Sequence, residues 1–407
     1  MNKLYKHQRE IVDLNPKKHL LAWQCGVGKT LAAIKLAEKN IGKGKALVIC
    51  PKSLTNNWQQ EINKFSDKPK QFIILTKENF RKMCQDIPCH NVIIIDECTY
   101  FAGMKSQMSK ALVGYIKKHS PEYIYLLSAT PCTNTPWSIY RLAQILGRKW
   151  NYVSYKNKFF NDIRMGHRII PVMKKGIAPE IGRLVKTLGS TVKLSSCIDV
   201  PDSIYQQEYF ELTKEQKAGI EGLEASVPIA YWCKCHQIMG GTLKSQSAVL
   251  PDKYFKSEKL ARVKDLCIEH DKLAIVCRYN AEIDLIARTL NKDKSFTKSI
   301  YTIQGNTQDK DKVVDAVNRA DKCIVLLNGA CSEGFNMPGI PIMVFYSYDF
   351  ALKNYIQMKG RCQRINKPQK IVYISMIIKG TIDEDIYKTI VIEKQDFITA
   401  IYSETAK

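Results

Sequence analysis

Near its N-terminus the chain contains Leu20-Leu21-Ala22-Trp23-Gln24-Cys25-Gly26-Val27-Gly28-Lys29-Thr30, in which an apolar run is followed by a glycine-containing loop and an amphipathic segment. The run Leu20–Trp23 predicts a strand, and the apolar spacing of Thr30–Glu38 predicts a helix. Glycines in such a loop let backbone N–H groups approach phosphate oxygens, and the first turn of the helix adds partial positive charge. The stretch therefore predicts a phosphate-binding turn between a strand and a helix.

Short apolar runs separated by amphipathic segments continue through the N-terminal part of the chain and return near its C-terminus. The further N-terminal elements predicted are the strands Ala46–Cys50, Phe72–Leu75, Val92–Ile95 and Tyr123–Leu127 and the helix Leu54–Phe65. The C-terminal elements predicted are the strands Leu273–Cys277, Ser299–Ile303, Cys323–Leu327, Ile342–Tyr346 and Lys370–Ser375 and the helices Ala281–Leu290, Asp309–Asn318 and Leu352–Arg361. Near-continuous apolar strands that alternate with helices are typical of parallel sheets covered on both faces. We therefore predict two α/β lobes.

The segment between the lobes, from Trp150 to Phe255, is irregular and rich in basic and aromatic residues. One short part of it contains Tyr152, Tyr155, Lys156, Lys158, Phe159, Phe160, Arg164, His167 and Arg168. Such interleaving suits a groove that follows a nucleic-acid strand, because cations meet phosphates while bases stack on rings. It equally suits a small helical subdomain whose aromatic side chains form its own core. We predict an N-terminal lobe over residues 1–150, a helical, basic-aromatic middle segment over 151–255 and a C-terminal lobe over 256–407.

The 407-residue chain is strongly basic. Its 62 Lys and Arg exceed its 39 Asp and Glu, which leaves a net charge of +23. This excess favours polyanionic partners, with nucleic acid first and an anionic membrane second, although a lysine-rich proteome would also produce it. With 45% hydrophobic and 25% charged residues, the composition is that of a globular protein and not of a disordered or collagen-like chain.

The cysteines and the apolar runs indicate the compartment. Many of the fourteen cysteines lie within apolar runs, as Cys50 does, where a free thiol acts as a small hydrophobe. Met1–Asn15 has no apolar core of a secretory signal, and no apolar run approaches the roughly 20 residues that span a bilayer. We expect an intracellular protein with reduced thiols, in the cytoplasm or the nucleus, that is neither secreted nor held in a membrane.

A second apolar run ends in two acids, in Val92-Ile93-Ile94-Ile95-Asp96-Glu97. Together with the glycine loop, the acids predict a site for a nucleoside triphosphate and Mg²⁺. Lys29 would reach the β- and γ-phosphates, while Thr30 and Asp96 would hold Mg²⁺. Glu97 would orient or deprotonate an attacking water. An acid pair after a strand is often only a solvated loop, but the upstream glycine loop makes a hydrolytic NTPase the better account.

Motifs along nearly the whole chain resemble those of superfamily 2 helicases. They are, in order, Gln8, Gly26–Thr30 (GVGKT), Asp96–Thr99 (DECT) and Ser128–Pro131 (SATP). The segments that resemble the Swi/Snf-type remodeller branch are Ile49-Cys50-Pro51-Lys52-Ser53-Leu54 with Trp58, Asn134, Leu212-Thr213-Lys214-Glu215-Gln216, Ser257-Glu258-Lys259-Leu260, Gln357, Gly360-Arg361, Gln363-Arg364-Ile365 and Lys379-Gly380-Thr381-Ile382. The chain resembles a minimal member of that branch, such as a bacterial or phage translocase would be.

The resemblance implies two RecA-like lobes with an ATP site between them, and it implies roles for particular residues. The positions implied to contact nucleotide are Gln8, which would read adenine, and Gly26, Val27, Gly28, Lys29, Thr30, Asp96 and Gly334. Arg361 and Arg364 would cross toward the γ-phosphate and act in catalysis with Lys29 and Glu97. The positions implied to contact nucleic acid, or to couple it to ATP, are Pro51, Lys52, Ser53, Ser128, Thr130, Asn134 and Asn336.

The chain departs from the family pattern at three places. Trp23 stands where the longer glycine-loop motif begins with glycine, and Thr99 stands where the family has the histidine of DEAH. An arginine pair expected before the crossing between the lobes is replaced near Leu194-Ser195-Ser196-Cys197. The missing histidine predicts weaker or rerouted coupling between the lobes, but the two acids remain.

Two clusters contain metal-ligand residue types. They are Cys84/Cys89/His90 and Cys233/Cys235/His236. Neither has the CxxC pairs of common structural zinc sites. We interpret both as buried thiols.

The sequence therefore predicts an ATP-dependent DNA translocase or helicase that uses ATP and Mg²⁺. Its partners would be single-stranded, duplex or branched DNA and other replication or recombination proteins, and it would act as a monomer to unwind strands, migrate branches or displace bound protein. An RNA helicase is an alternative within the same class, because the 2′-OH contacts that distinguish RNA are not visible in the sequence. A catalytically weak DNA-binding scaffold is an alternative from another class, and Thr99 is its main support.

Overall fold

The computed structural model describes residues 4–132, 135–165, 168–199, 201–224, 227–245, 251–331, 334–363, 369–393 and 395–403. The chain divides into two compact units. The first unit consists of Met1–Asp199 together with Lys394–Lys407, and the second unit is Val200–Glu393. These units differ from the three predicted ranges, because residues 151–255 are shared between the two units and form no unit of their own.

The first unit contains a six-stranded sheet whose strands are all parallel. The strands of this unit are β1 (Lys18–Trp23), β2 (Ala46–Cys50), β3 (Phe72–Thr76), β4 (Val92–Ile95), β5 (Tyr123–Leu127), β6 (Phe160–Met165), β7 (Arg168–Met173) and β8 (Gly189–Val192). The helices are α1 (Lys6–Leu14), α2 (Lys29–Asn40), α3 (Thr55–Phe65), α4 (Lys77–Met83), α5 (Gln107–His119), α6 (Trp137–Ile145), α7 (Tyr152–Phe159) and α8 (Ala178–Leu188). The sheet order is β3-β2-β4-β5-β1-β8, so the predicted strands of this lobe are confirmed.

The edge strand β8 is absent from the sequence-based prediction. Its residues are Gly-Ser-Thr-Val, and all four are only half-buried, so no apolar run marks the strand. Gly189 pairs with Leu20 of β1 so closely that a Cβ at this position would collide with the Leu20 backbone. The missing side chain therefore lets β8 join the sheet.

The aromatic part of the middle segment packs into the first unit. Tyr155, Phe159 and Phe160 are buried in its core, and the Phe160 ring stacks on Trp137 with ring centroids 4.6 Å apart. Lys156 forms an ion pair with Asp162 at 2.6 Å. The strands β6 and β7 form an antiparallel pair, so this segment is not purely helical. These rings therefore serve as core residues and do not form a groove that stacks bases. The core that they join is that of the whole first unit and not that of a separate subdomain.

The second unit repeats the parallel six-stranded arrangement with the order β13-β14-β12-β15-β16-β9. Its strands are β9 (Ile204–Phe210), β10 (Thr242–Leu243), β11 (Lys253–Tyr254), β12 (Lys272–Cys277), β13 (Ser299–Ile303), β14 (Cys323–Asn328), β15 (Ile342–Phe345) and β16 (Val372–Ile378). Its helices are α9 (Lys214–Glu221), α10 (Pro228–Met239), α11 (Glu258–Glu269), α12 (Asn280–Lys292), α13 (Lys310–Arg319), α14 (Leu352–Lys359) and α15 (Ile382–Tyr387). The predicted C-terminal strands are confirmed within a few residues.

One predicted helix end is wrong. The helix Leu352–Arg361 was expected to include Arg361, but α14 ends at Lys359 and Arg361 lies in the turn that follows. Gly360 is the C-cap of the helix, and its N–H donates to the Ile356 carbonyl. Glycine is a poor helix former, which favours an end to the helix at this position. Arg361 therefore lies outside the helix, and Arg364 lies outside the described residues.

The last helix, α16 (Gln395–Tyr402), belongs to the first unit although it follows the second unit in sequence. Phe397, Ile401 and Tyr402 are buried in the core of the first unit. The helix packs against α8 at Gly182, where a Cβ would collide with the Ala400 carbonyl. Glycine at that position therefore allows the close approach of the two helices.

Candidate functional site

The motif residues of the first unit lie at one edge of its sheet. Strands β2, β4, β5 and β1 are neighbours in that order, and all run in the same direction. The segments that follow their carboxyl ends are 51–54, 96–99, 128–131 and 24–28. In open parallel sheets this edge is where ligands bind. The fold therefore brings together four motifs that the sequence places up to about one hundred residues apart.

The glycine loop has the backbone that a phosphate-binding turn requires. Gly26 has a φ of 84° and Gly28 a φ of 83°, values that glycine adopts readily. A Cβ at Gly28 would also collide with the side-chain amide of Gln8. No side chain caps the N-terminus of α2 within the described residues, so its first-turn N–H groups face the loop without a side-chain acceptor. This is the arrangement that binds anions at helix N-termini.

Lys29 and Gln8 both contact the loop backbone. The Lys29 Nζ donates to the carbonyls of Trp23 at 3.0 Å and Gln24 at 3.1 Å. The Gln8 Nε2 donates to the Gly28 carbonyl at 3.0 Å, while its Oε1 accepts from the Tyr5 N–H at 2.9 Å. Gln8 is thus buried against the loop from the side of α1. Its predicted contact with adenine stays a prediction.

His7 is a contact of the loop that the sequence analysis missed. Its Nε2 donates to the Val27 carbonyl at 2.9 Å, which places the acceptor nitrogen of a neutral ring at Nδ1. That nitrogen lies 3.4 Å from the Cys197 Sγ. The His7 ring also packs edge-on against Trp23, with centroids 5.0 Å apart. Its position directly before Gln8 was the one available signal.

The acid pair is held firmly at the end of β4. The Asp96 backbone N–H donates to Ile49 of β2 at 2.9 Å, and the Trp58 indole donates to the Asp96 Oδ2 at 2.8 Å. The Asp96 Oδ1 accepts from the Glu97 N–H at 2.9 Å. Glu97 has a φ of 48°, a left-handed conformation uncommon for a residue with a side chain. Strained backbone of this kind concentrates at functional sites.

The SATP segment lies beside the acids. Ser128 and Thr130 are both fully buried, and the Ser128 Oγ accepts from the Thr130 N–H at 3.0 Å. Within the described residues the buried Thr99 and Thr130 hydroxyl oxygens have no hydrogen-bond partner. Asn134 lies outside the described residues. The predicted roles of Ser128 and Thr130 in coupling stay predictions.

The segment after β2 divides by exposure. Pro51 is buried, whereas Lys52 and Ser53 are exposed in the helical turn Lys52–Leu54. An exposed lysine and hydroxyl at this edge suit contact with phosphate. The roles predicted for Pro51, Lys52 and Ser53 stay predictions.

The motif residues of the second unit also converge. The Arg361 Nη1 donates to the Phe335 carbonyl at 3.1 Å, and the Met337 N–H donates to the Arg361 carbonyl at 2.9 Å. Gly334 has a φ of 90°, and the Asn336 side chain is exposed. The chain thus links the Gly334–Asn336 segment to Arg361 within one unit, although the sequence separates them by about 25 residues.

A second polar cluster, which we term the sealed cluster, lies inside the second unit and consists of Lys259, His236 and Asp383. The Lys259 Nζ lies 3.0 Å from the Asp383 Oδ2, and the His236 Nε2 lies 3.3 Å from the Asp383 Oδ1. Each of the three side chains is 1% exposed. Burial alone would raise the pKa of Asp383. The Lys259 charge and the hydrogen bond from His236 outweigh burial and lower that pKa to about 2. The cluster joins α10, α11 and α15.

The cysteine clusters contain buried and accessible thiols. Cys235 is buried as expected, but Cys89 is exposed and Cys84 and Cys233 are partly accessible, so the interpretation as uniformly buried thiols is wrong. His236 contacts Asp383, and the His90 ring contacts Pro88 and Tyr115. Across the described residues no group of three His, Cys, Asp or Glu side chains is placed to hold a metal ion. All fourteen cysteines are free.

Comparison with known families decides the assignment of the chain. Residues 12–91 match the SNF2-related domain, and residues 258–366 match the helicase conserved C-terminal domain. The chain carries both domains of an SNF2-type helicase. The predicted membership of the Swi/Snf-type branch of superfamily 2 is thereby confirmed, and so is the predicted fold of two RecA-like lobes.

Individual relatives of this SNF2-type chain are distant. YwqA of Bacillus subtilis, provisionally named an ATP-dependent helicase/translocase, is 22% identical over 90% of this chain. Human chromodomain-helicase-DNA-binding protein 1 is 20% identical over 90% of this chain. The chain spans 44% of the first relative and 25% of the second.

A solved structure shares the fold of the SNF2-type chain. The helicase domain of Hef from Pyrococcus furiosus has a TM-score of 0.53 at 15% identity, and the match covers 94% of this chain and 97% of that one. At this identity the likeness is one of fold alone. No helix among the described residues has both the length and the apolar character needed to cross a membrane.

Proposed function

We propose that the chain is an ATP-dependent motor that couples ATP hydrolysis to movement on DNA or to remodelling of DNA. One observation carries the proposal: the first unit gathers a phosphate-binding turn, an acid pair and the SATP segment at a single sheet edge. The two matched domains support the same conclusion, and the names of the distant relatives include helicase, translocase and DNA binding. The net charge of +23 favours a polyanionic partner.

The residues of the first unit fit a nucleoside triphosphate. The turn presents the N–H groups of the α2 N-terminus, and the Lys29 ammonium donates to two neutral carbonyls, those of Trp23 and Gln24. An ammonium bound in this way can turn to phosphate oxygens without leaving a carboxylate unpaired. Thr30 and Asp96 supply hydroxyl and carboxylate oxygens, the hard donors that Mg²⁺ prefers. When bound, Mg²⁺ would neutralise charge on the phosphates.

Glu97 is the residue that we assign to activation of water. Its backbone N–H is fixed on Asp96, and its left-handed φ sets the direction in which the side chain leaves the strand end. A carboxylate fixed in this way can accept a proton from water. Gln8 and His7 steady the glycine loop from α1. From the second unit, Arg361 and Arg364 would contribute positive charge to the transition state, as the family resemblance implies.

The experiment is a phosphate-release assay with the purified chain. ATP hydrolysis is measured without nucleic acid and with single-stranded, duplex, forked and four-way DNA and duplex RNA. We expect stimulation by DNA, and stimulation by duplex RNA alone would favour an RNA helicase instead. Lys29→Ala should abolish stimulated hydrolysis, whereas Lys43→Ala, which removes the same charge from an exposed site in the same unit, should not. A folded wild-type chain that binds DNA but hydrolyses no ATP would contradict the motor and support a scaffold.

A further inference from the structure

The C-terminal helix places a buried hydroxyl against the candidate ATP site. The Tyr402 Oη donates to the Ala129 carbonyl at 2.8 Å. Ala129 lies between Ser128 and Thr130 in the SATP segment, so the hydrogen bond joins the last helix of the chain to a motif 273 residues earlier. Both residues are buried, Tyr402 to 5% exposure and Ala129 to 2%. Water therefore cannot readily replace the hydroxyl as a donor to this carbonyl.

The surroundings of Tyr402 connect it to two further motifs. Burial raises the pKa of the Tyr402 phenol well above its usual value, and the neighbouring Cys25 and Glu97 raise it further. The phenol thus stays protonated and remains a donor. Cys25 belongs to the glycine loop and Glu97 to the acid pair, so the phenol lies within electrostatic range of both. Tyr402 thus contacts the SATP segment directly and acts on the other two motifs only through electrostatics.

The segment that Tyr402 contacts has little regular structure to hold it. Residues 128–131 follow β5 in a bend, and α6 begins only at Trp137. The hydrogen bond from the Thr130 N–H to the Ser128 Oγ fixes one side of this bend. The Ala129 carbonyl, in the middle of the bend, has the Tyr402 hydroxyl as its donor. Loss of that donor would leave a buried acceptor unsatisfied, which is costly and favours a shifted backbone.

We propose that Tyr402 is a positioning residue for ATP hydrolysis, whose hydroxyl fixes the Ala129 carbonyl and with it the SATP backbone beside Glu97. The inference rests on the proposed ATPase function and extends it to a helix outside both matched domains, which end at residues 91 and 366. It requires no contact of Tyr402 with nucleotide. The expected signature is a change in turnover with ATP binding retained.

The test compares Tyr402→Phe with wild type and with Tyr115→Phe. Phenylalanine keeps the ring in the core and removes only the hydroxyl. Tyr115 is a matched control, because its buried hydroxyl also donates to a backbone carbonyl, that of Pro88, at 2.6 Å. Pro88 precedes β4 and so lies at the edge of the sheet opposite to the candidate ATP site. Steady-state kcat and KM for ATP are measured at saturating DNA, beside a thermal melt and hydrogen exchange at residues 128–130.

We expect Tyr402→Phe to lower kcat about tenfold, as loss of one buried hydrogen bond in the rate-determining arrangement allows. KM for ATP should change less than twofold, and exchange of the Thr130 amide should become faster. Tyr115→Phe should keep wild-type kcat at a similar or lower melting temperature. A Tyr402→Phe kcat within twofold of wild type, or an equal loss in Tyr115→Phe, would overturn the positioning role while leaving the motor intact. An inactive wild-type chain would instead overturn the proposed function and this role with it.

Discussion

Each unit holds the ammonium of one motif lysine by specific contacts, yet the two lysines, Lys29 and Lys259, are held in different ways. In the first unit the Lys29 Nζ donates to two neutral carbonyls at the mouth of a glycine loop, and Lys29 is partly accessible. In the sealed cluster the Lys259 Nζ faces the Asp383 carboxylate at 3.0 Å, and both side chains are 1% exposed. An ammonium that donates to neutral carbonyls can exchange them for the oxygens of an incoming anion. An ammonium that neutralises a buried carboxylate cannot leave it without exposing an unpaired buried charge. Accessibility and the charge of the partner therefore separate a binding site from a structural ion pair.

The strongest way to sharpen this contrast is to change Glu97 to glutamine. We expect Glu97→Gln to lower DNA-stimulated ATP turnover by about 10²–10⁴-fold, because an amide cannot act as a general base. The melting temperature should stay near that of wild type, since the shape of the side chain is kept. Phosphate release and a thermal melt measure the two quantities. Glu10→Gln, an exposed change in α1, is the control, and near-normal turnover in Glu97→Gln would remove Glu97 from catalysis.

The sealed cluster should respond in the opposite way. Lys259→Met should lower the free energy of unfolding by about 3–5 kcal/mol, because it leaves the Asp383 carboxylate buried with one partner fewer. Chemical denaturation measures this loss, and turnover per folded molecule should change little. Lys388→Met removes a lysine whose side chain is 54% exposed in its ion pair with Glu384, and it should give no measurable loss. A stable Lys259→Met protein would show that the cluster is dispensable.

The free energy of unfolding should depend on pH through the ionisation of Asp383. Its folded pKa is lowered from 3.8 to about 2, so the ion pair stabilises the fold above pH 4 and that contribution, about 2 kcal/mol, is lost as the pH falls from about 4 to about 2. Denaturation midpoints measured across this window should fall in wild type. The fall should flatten in Asp383→Asn, whereas the exposed change Asp13→Asn should retain it. Parallel curves for all three proteins would contradict the assignment.

The smallest expected effect is at the surface. Lys17 and Glu122 form a 2.8 Å ion pair whose side chains are 69% and 43% exposed. Lys17→Met should shift the melting temperature by no more than about 1 °C, because exposed pairs are screened by solvent. A shift comparable to that of Lys259→Met would mean that exposure does not separate the two kinds of pair.

Much of the fold was predictable because most strands of the two parallel sheets are apolar runs. Val92–Ile95 is four buried aliphatic residues, and such a run gives the same prediction whatever surrounds it. The edge strand β8 escaped prediction because Gly-Ser-Thr-Val has no apolar pattern and pairs with β1 through close backbone approach. The end of α14 escaped because Gly360 stops the helix although its apolar spacing continues.

The candidate site was predictable where a motif is contiguous and not where the fold assembles it. Lys29, Asp96 and Glu97 follow directly from strand ends in the sequence. His7 and Tyr402 do not, because their partners are backbone carbonyls 20 and 273 residues away, and a carbonyl carries no residue identity that a sequence could reveal. The sealed cluster escaped for a related reason, since Lys259 and Asp383 are 124 residues apart and each resembles an ordinary charged surface residue.

The return of α16 to the first unit sets an order of events during synthesis. The ribosome makes Met1–Asp199 first, then the whole of Val200–Glu393, and only afterwards Phe397, Ile401 and Tyr402, which complete the first core. Domains generally fold as they emerge, N-terminal first. The first unit therefore lacks α16, and the apolar surface of α8 stays uncovered, until nearly two hundred further residues have been translated. The nascent chain is thus open to aggregation or chaperone binding over that interval, and the Tyr402 hydrogen bond to the SATP segment is among the last contacts to form.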